Sequence, residues 1–243
     1  GYTTAASLYL NNPYGEGLAG QFKTTFEAGG GTVTAQVPHE NEQPSFTSEL
    51  SKATGDDPDV LIAIGYPGQA QVYLREALEG GYIDNFLFVD GTKSADLFDA
   101  VGWGPFEGMY GTAPGSAAND ARNTFNADYQ NAFSEAAENP YTAETYDAVV
   151  LIALAAEKAG STTDSIKIRD ALRDVSSAPG TVVGPGVDGI KQAIKLIGDG
   201  KDINYEGAAG SHEFDENGDV ASTIEIWEIK GGAISSTGRF ELP

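Results

Sequence analysis

The chain has 243 residues, 40% hydrophobic and 10% aromatic, enough for one large or two small domains with a sizeable core. Its 36 Asp and Glu against 14 Lys and Arg give a net charge of −22, which argues against nucleic-acid binding by phosphate neutralisation and against anionic membrane surfaces. With no cysteine there are no disulfides, thiolate metal sites or catalytic thiols, and no apolar run approaches the roughly 18 residues of a membrane span.

The first half alternates strand and helix signals, the pattern of a parallel sheet with helices on both faces. A short apolar strand, Ser7 to Leu10, runs into Asn11-Asn12-Pro13-Tyr14, and a helix is predicted to open at Gly15. Leu18, Phe22 and Phe26 recur at helical spacing until Gly29-Gly30-Gly31 stops the helix. Thr32 to Val37 is β-branched and alternating, hence a strand; His39 to Pro44 reads as a polar loop, and Phe46 to Ala53 as a short helix capped by Ser45 or Thr47. Val60 to Ile64 is a continuous apolar run, as expected of a central parallel strand, and ends at Gly65-Tyr66-Pro67-Gly68. A helix from Gln69 to Glu79 follows, then a strand from Phe86 to Val89 ending at Asp90-Gly91, a helix from Ser94 to Val101 and a strand from Glu107 to Thr112. Ala121 to Ala137 is predicted as a long amphipathic helix whose Phe125, Tyr129 and Phe133 are core residues by their (i, i+4) spacing.

Past Asn139-Pro140 the pattern changes. Thr142 to Lys158 is a strongly apolar helix that reads as buried against something large, and Ser165 to Val175 is a second helix carrying Ile166, Ile168, Ala171 and Leu172. Pro179 to Gly189 is turn-rich, Gly189 to Gly198 helical, and Asn204 to Gly210 a loop. The last segment is predicted as a hairpin, Ser211 to Asp215 against Thr223 to Ile229 around Asn217-Gly218.

Three loops at strand ends carry chemistry: Tyr14, Tyr66 and Asp90. Parallel strands put their carboxyl ends on one edge of a sheet, where ligands of open α/β sheets sit, so these three are expected to converge. A carboxylate with two phenols suits a ligand ammonium, through an ion pair, hydrogen bonds and cation–π contact. Gly15, Gly17 and Gly20 also spell G-x-G-x-x-G, with Glu40 at about the distance of a ribose-binding acid. That fingerprint needs its first glycine in the turn at the strand end, where Asn-Asn-Pro-Tyr stand, and Glu16 would set a carboxylate beside a pyrophosphate, so close packing is the simpler role for these glycines. Asp215, Asn217 and Asp219 are spaced like calcium ligands, but Val220 and Ile226 occupy the positions of the required Gly and Glu. His39 and His212 make no zinc or triad signal, no metal or cofactor is expected, and no catalytic constellation is found; the chain reads as a non-enzyme.

Asn-Asn-Pro-Tyr-Gly-Glu-Gly-Leu at 11–18, Asp-Pro-Asp-Val-Leu before Tyr66, Phe86 to Gly91, Thr142 to Val149, and Tyr205 to Gly210 with Phe214 to Asp219, in that order and spacing, resemble the type I solute-binding proteins of ABC transporters, branched-chain amino-acid class. The resemblance implies a periplasmic-binding-protein-like α/β fold with an open parallel sheet and helices on both faces. Residues 1–138 would form the second ligand-binding lobe, 139–220 the helices and strand belonging to the first lobe, and 221–243 a return to the second. The first-lobe sheet would then lie ahead of Gly1, as would a processed signal peptide and any membrane anchor, or another chain would supply it; the helices at 142–158 and 165–175 would want that covering sheet.

It further implies capture of a small solute, an amino acid first of all, between two hinged lobes, with delivery to an ABC permease and a periplasmic or extracellular location. Tyr14 and Tyr66 would close over the ligand, Asp90 would meet its ammonium, and Tyr141 would line the pocket near the hinge. The alternatives are a sensory or regulatory domain on the same fold, since fold does not fix function, and a nucleotide-dependent enzyme using Gly15 to Gly20. The acidity would also suit a high-salt habitat, where screening relieves self-repulsion.

Overall fold

Strand β1 (Thr4–Leu10) puts alternate residues on opposite sheet faces, and both faces are buried. Ala6 and Leu8 join one core, and Ala5 joins another with Tyr9 packed against it. Strand β3 (Val60–Ile64) repeats this: Leu61 and Ala63 face the first core, while Val60, Ile62 and Ile64 face the second. Burial on both faces is why these strands read as continuous apolar runs. The computed structural model describes residues 1–115, 119–137 and 139–242.

Around β1 the order is β2 (Thr32–His39), β1, β3, β4 (Phe86–Phe88), β5 (Tyr110–Pro114), β8 (Ile224–Ile229) and β9 (Ile234–Glu241). The pairs from β2 to β5 are parallel, with Tyr9 opposite Ile64 and Ala63 opposite Phe88. Helix α1 (Pro13–Ala28) lays Leu18, Ala19, Phe22 and Phe26 on one face. Helices α2 (Thr47–Ala53), α3 (Pro67–Glu79) and α4 (Ala95–Val101) cover the other with Phe46, Leu50, Tyr73, Leu74 and Phe98, around a fully buried Trp227. The expected open α/β sheet with helices on both faces is present.

By its contacts the chain forms two compact units, Gly1–Ala113 with Glu225–Arg239, and Pro114–Ile224 with Phe240–Pro243. The second holds α5 (Asp120–Phe133), α6 (Thr142–Ala159), α7 (Ser165–Ser176), α8 (Gly186–Gly198) and a parallel pair, β6 (Thr181–Val183) and β7 (Ile203–Tyr205). Its core joins Leu151, Leu154, Val175, Val183, Ile203 and Tyr205. The lobe division implied by the resemblance groups α5 with the first unit, and its boundary falls on Glu138, outside the described residues.

Several local expectations are overturned. Helix α1 opens at Pro13, not Gly15, because proline suits the first helical position and the Asn12 side chain accepts the Gly15 amide at 2.9 Å, a cap of about 1 kcal/mol. Helix α2 has Phe46, which makes no side-chain cap, at its cap position, and Ser45 Oγ accepts the amide of the first helical residue, Thr47, at 3.4 Å. Of the three aromatics assigned to the α5 core, Phe125 is buried and Phe133 is 63% exposed, because the helix ends at that residue. Ile166 on α7 and Val149 and Ile152 on α6 are also exposed, so those helices bury one stripe, not their whole apolar surface. The turn-rich stretch 179–189 contains β6, and β7 overlaps the start of the expected loop at 204–210; each is a strand of only three residues.

The C-terminal hairpin is also different. Phe214 and Val220 form one antiparallel bridge around Asn217-Gly218, but β8 pairs elsewhere, within the large sheet. Its hairpin partner is β9, joined through Gly231-Gly232 with φ of 62° and 74°, the two positive values of a type I′ turn. The Asp215 carboxylate accepts the amides of Asn217 (2.8 Å) and Asp219 (2.9 Å), which occupies it as a turn former and lowers its pKa.

Candidate functional site

Strands β1, β3 and β4 are neighbours and run parallel, so their carboxyl ends share one edge of the first unit. Each hands over at that edge to one of the three residues singled out in the sequence. Tyr14 sits in the first turn of α1, Tyr66 at the cap position of α3, and Asp90 opens a short 3-10 turn, Asp90–Thr92.

The structure brings all three together. The Tyr14 hydroxyl donates to Asp90 Oδ1 at 2.9 Å and accepts the Gly91 amide at 3.3 Å. The rings of Tyr14 and Tyr66 stack, with centroids 5.4 Å apart and planes 14° from parallel. Tyr14 and Asp90 are partly buried, whereas Tyr66 is 43% exposed and so offers a ring to solvent. The arrangement combines one carboxylate, one phenol fixed on it and one accessible aromatic ring. A small cation, above all an ammonium group, is what such a set attracts.

Supporting residues hold each piece. The Tyr66 amide donates to Gln69 Oε1 at 3.3 Å, and Gln69 Nε2 bonds Asn41 Oδ1. Thr92 Oγ1 accepts the Val89 amide at 3.0 Å and donates to the Val89 carbonyl at 2.9 Å, closing the turn that carries Asp90. Gly91 must lack a side chain: a Cβ there would overlap the Gly65 carbonyl and lie 2.8 Å from the Tyr14 hydroxyl. Reading the sequence alone missed Gly91, although its place beside Asp90 marked it, and missed Gln69, whose signal was its position three residues into a proline-started helix. It also missed that His39, at the end of β2, is only 2% exposed.

Tyr141 belongs to the second unit. It precedes α6 with φ of 65° and is 45% exposed.

The dinucleotide alternative loses its geometry. Gly15, Gly17 and Gly20 all lie inside α1, and Gly15 is required because a Cβ would run into the Leu10 carbonyl. Glu40 is engaged by Asn11 Nδ2 at 2.6 Å. Among the described residues no group of three His, Asp or Glu could hold a metal ion, and no helix is long and apolar enough to cross a membrane.

A family model described as periplasmic binding protein matches residues 1–193. The chain belongs to the periplasmic binding protein family. It is 29% identical over 209 residues to the chemotactic signal transduction system substrate-binding protein BasB of Halobacterium salinarum, covering 86% of this chain and 47% of that protein. It is 28% identical over 170 residues to the leucine-, isoleucine-, valine-, threonine- and alanine-binding protein of Pseudomonas aeruginosa, covering 70% of this chain and 45% of the relative. The chain thus spans about half the length of the curated relatives it matches. Among solved structures, a leucine binding protein from Thermotoga maritima superposes with a TM-score of 0.77 at 23% identity, covering 100% of this chain and 61% of that one. The branched-chain amino acid transporter substrate binding protein of Streptococcus pneumoniae, in complex with isoleucine, gives 0.72 at 18% identity, covering 100% and 60%. The type I binding-protein fold and the binding-protein family expected from the sequence are borne out. These relatives are solute-binding proteins, not enzymes.

Proposed function

We propose that this chain is the ligand-holding part of an ABC importer's solute-binding protein, located in the periplasm or outside the cell, which captures a small amino acid and presents it to a permease. The observation that carries this is the Tyr14–Asp90–Tyr66 cluster at one sheet edge. Asp90 supplies the charge for the ligand ammonium, Tyr14 fixes the carboxylate, and Tyr66 offers its ring face. The name of the Pseudomonas relative, which lists five aliphatic and hydroxyl amino acids, points to the ligand class. Tyr141, singled out with these residues in the sequence, is proposed as a further ligand-binding residue.

The test is a thermal-shift panel with leucine, isoleucine, valine, alanine, benzoate and NAD. A ligand that binds only the folded chain stabilises it by about 2.7 kcal/mol at one hundred times its Kd. A shift with an aliphatic amino acid that is lost in Asp90→Ala and reduced in Tyr141→Ala supports the reading. A shift with NAD alone would overturn it.

A second reading has one specific support, the chemotactic role in the name of the Halobacterium relative. There the loaded protein would report to a membrane transducer. Co-purification of the loaded protein with a transducer in place of a permease decides for it.

A further inference from the structure

His39 is the residue through which two of the ligand loops meet. Its carbonyl accepts the Asn11 amide at 2.8 Å, just ahead of the Asn12 cap that starts the helix bearing Tyr14. The neighbouring Glu40 accepts Asn11 Nδ2 at 2.6 Å, a second tie to the same loop. The His39 ring lies under the other loop: a Cβ built on Gly65, the residue before Tyr66, would sit 3.5 Å from His39 Nε2 and 3.8 Å from the Tyr73 hydroxyl.

The ring's surroundings are apolar and aromatic. It packs edge-on against Phe46, with centroids 5.1 Å apart at 87°, and tilted against Tyr73 at 5.7 Å. His39 Nδ1 lies 3.1 Å from the Glu40 carbonyl, which can only accept, so Nδ1 carries the proton of the neutral ring. Nε2 is then the bare nitrogen, buried and without a hydrogen-bond partner, as is the Tyr73 hydroxyl near it. Glu40 on the same loop and Glu49 on α2 favour a charged ring, as does the Ile64 carbonyl, but burial outweighs them and lowers the pKa. On α3, Tyr73 is itself held neutral by burial.

We propose that His39 is the positioning residue of the binding edge, holding the Tyr14 and Tyr66 loops in register while its ring is neutral and releasing them when the ring is protonated, so that ligand retention weakens in acid. The idea rests on the reading of Tyr14 and Tyr66 as ligand residues. Its sign follows from linkage. With the ring packed, protonation is disfavoured; with the ring displaced into water, it returns to about 6.5. Acid therefore favours the displaced state as pH falls through that value. Each unit of difference between the two states is about tenfold in the equilibrium.

The experiment uses the whole chain with leucine as probe, titrated calorimetrically from pH 8 to pH 5, for wild type, His39→Phe and His212→Asn. Hydrogen exchange at the Asn11 and Tyr66 amides, without ligand, is followed over the same range. The expected result is a Kd about tenfold weaker at pH 5 than at pH 8, with both amides losing protection together. His212→Asn should behave as wild type and His39→Phe should lose the pH dependence. A flat wild-type profile, or a wild-type profile retained in His39→Phe, overturns the proposal. Amides that respond to pH through His39 in a chain that binds no leucine would uphold the positioning role and sink the amino-acid reading instead. If His39→Phe does not fold, the His39 imidazole proton signals in wild type replace it. A ring that titrates without moving the Asn11 and Tyr66 amides overturns the proposal, and one that titrates with them supports it.

Discussion

Tyr14 and Asp90 lie 76 residues apart in sequence, yet the phenol of one donates to the carboxylate of the other at 2.9 Å. The bond orients the carboxylate and stacks Tyr14 against Tyr66, so it bears on both the charge and the aromatic parts of the site. Tyr14→Phe keeps the stack and removes the donor. It should weaken binding of an aliphatic amino acid by about 1.5–3 kcal/mol, the range for a hydrogen bond to a charged group. Asp90→Ala should cost more, because the ligand ammonium loses its counter-charge. Titration calorimetry on both variants checks this, and unchanged affinity in Asp90→Ala would remove Asp90 from the ligand.

Gly91 sets how closely that edge packs. An added methyl meets the Gly65 backbone and the Tyr14 hydroxyl together, and the backbone cannot step aside as a side chain can. Gly91→Ala should therefore destabilise the chain by about 1–3 kcal/mol, the usual cost of overpacking. It should also weaken ligand binding even at a temperature where the variant is fully folded. Denaturant midpoints with affinities at low temperature separate the two effects.

The convergence of Tyr14, Tyr66 and Asp90 was legible because parallel strands leave no freedom about which edge their carboxyl ends share. Strand β3 was legible to the residue because burial on both faces gives an unbroken apolar run between two turns. What escaped depends on partners distant in sequence. His39 stands among Pro, Glu and Asn and reads as a loop residue; its burial comes from Phe46 and from Tyr73, which arrives 34 positions later on α3. Strand β9, with its serines, threonine and glycine, has little strand character of its own, so Gly231-Gly232 lacks the second alternating run that would mark it as a hairpin turn. Asn217-Gly218 closes a single bridge, because the Asp215 carboxylate had already tied that turn locally.

Asp147 organises the second unit as a fully buried carboxylate. It accepts the Tyr205 hydroxyl at 2.8 Å and the amides of Ala208 and Ala209 at 2.9 and 2.6 Å, with His212 Nε2 at 3.6 Å. Burial and the Asp147 charge both raise the Tyr205 pKa, which keeps that phenol a donor. Asp147→Asn puts an amide group where donors converge, and Asp147→Ala leaves them unpaired. Losses of about 2–4 kcal/mol are expected, larger for alanine, in line with breaking a buried charged network. Chemical denaturation measures them, and hydrogen exchange should show the loosening at 205–209 first.

The Lys93–Glu225 pair, 2.6 Å apart with little exposure on either side chain, ties the Asp90 turn to the residue where the chain re-enters the first unit. Lys93 also closes the Asp90 turn through its amide, at 3.1 Å from the Asp90 carbonyl. Removing one partner leaves the other charge short of compensation, so Lys93→Met and Glu225→Gln should each cost about 1–3 kcal/mol. The double variant should cost less than their sum, since removing both charges together leaves neither one uncompensated. A double-mutant cycle from denaturant unfolding gives the coupling, and strict additivity would mean that the pair contributes no interaction of its own.

The net charge of −22 acts on the whole fold. With 36 acidic and 14 basic side chains, the folded chain holds like charges at close range, and self-repulsion opposes compaction. The screening length falls from about 10 Å at 0.1 M salt to about 3 Å at 1 M, shorter than the spacing of most surface carboxylates. The melting temperature should therefore climb steadily with potassium chloride over that range. Surface ion pairs such as Lys195–Asp199 weaken in the same salt, but each is exposed and contributes little either way. Sucrose separates this from preferential exclusion, which also stabilises folded states but carries no charge. A rise with potassium chloride well beyond that with sucrose assigns the effect to repulsion. Equal rises would mean that the −22 charge is spread widely enough to cost the fold little.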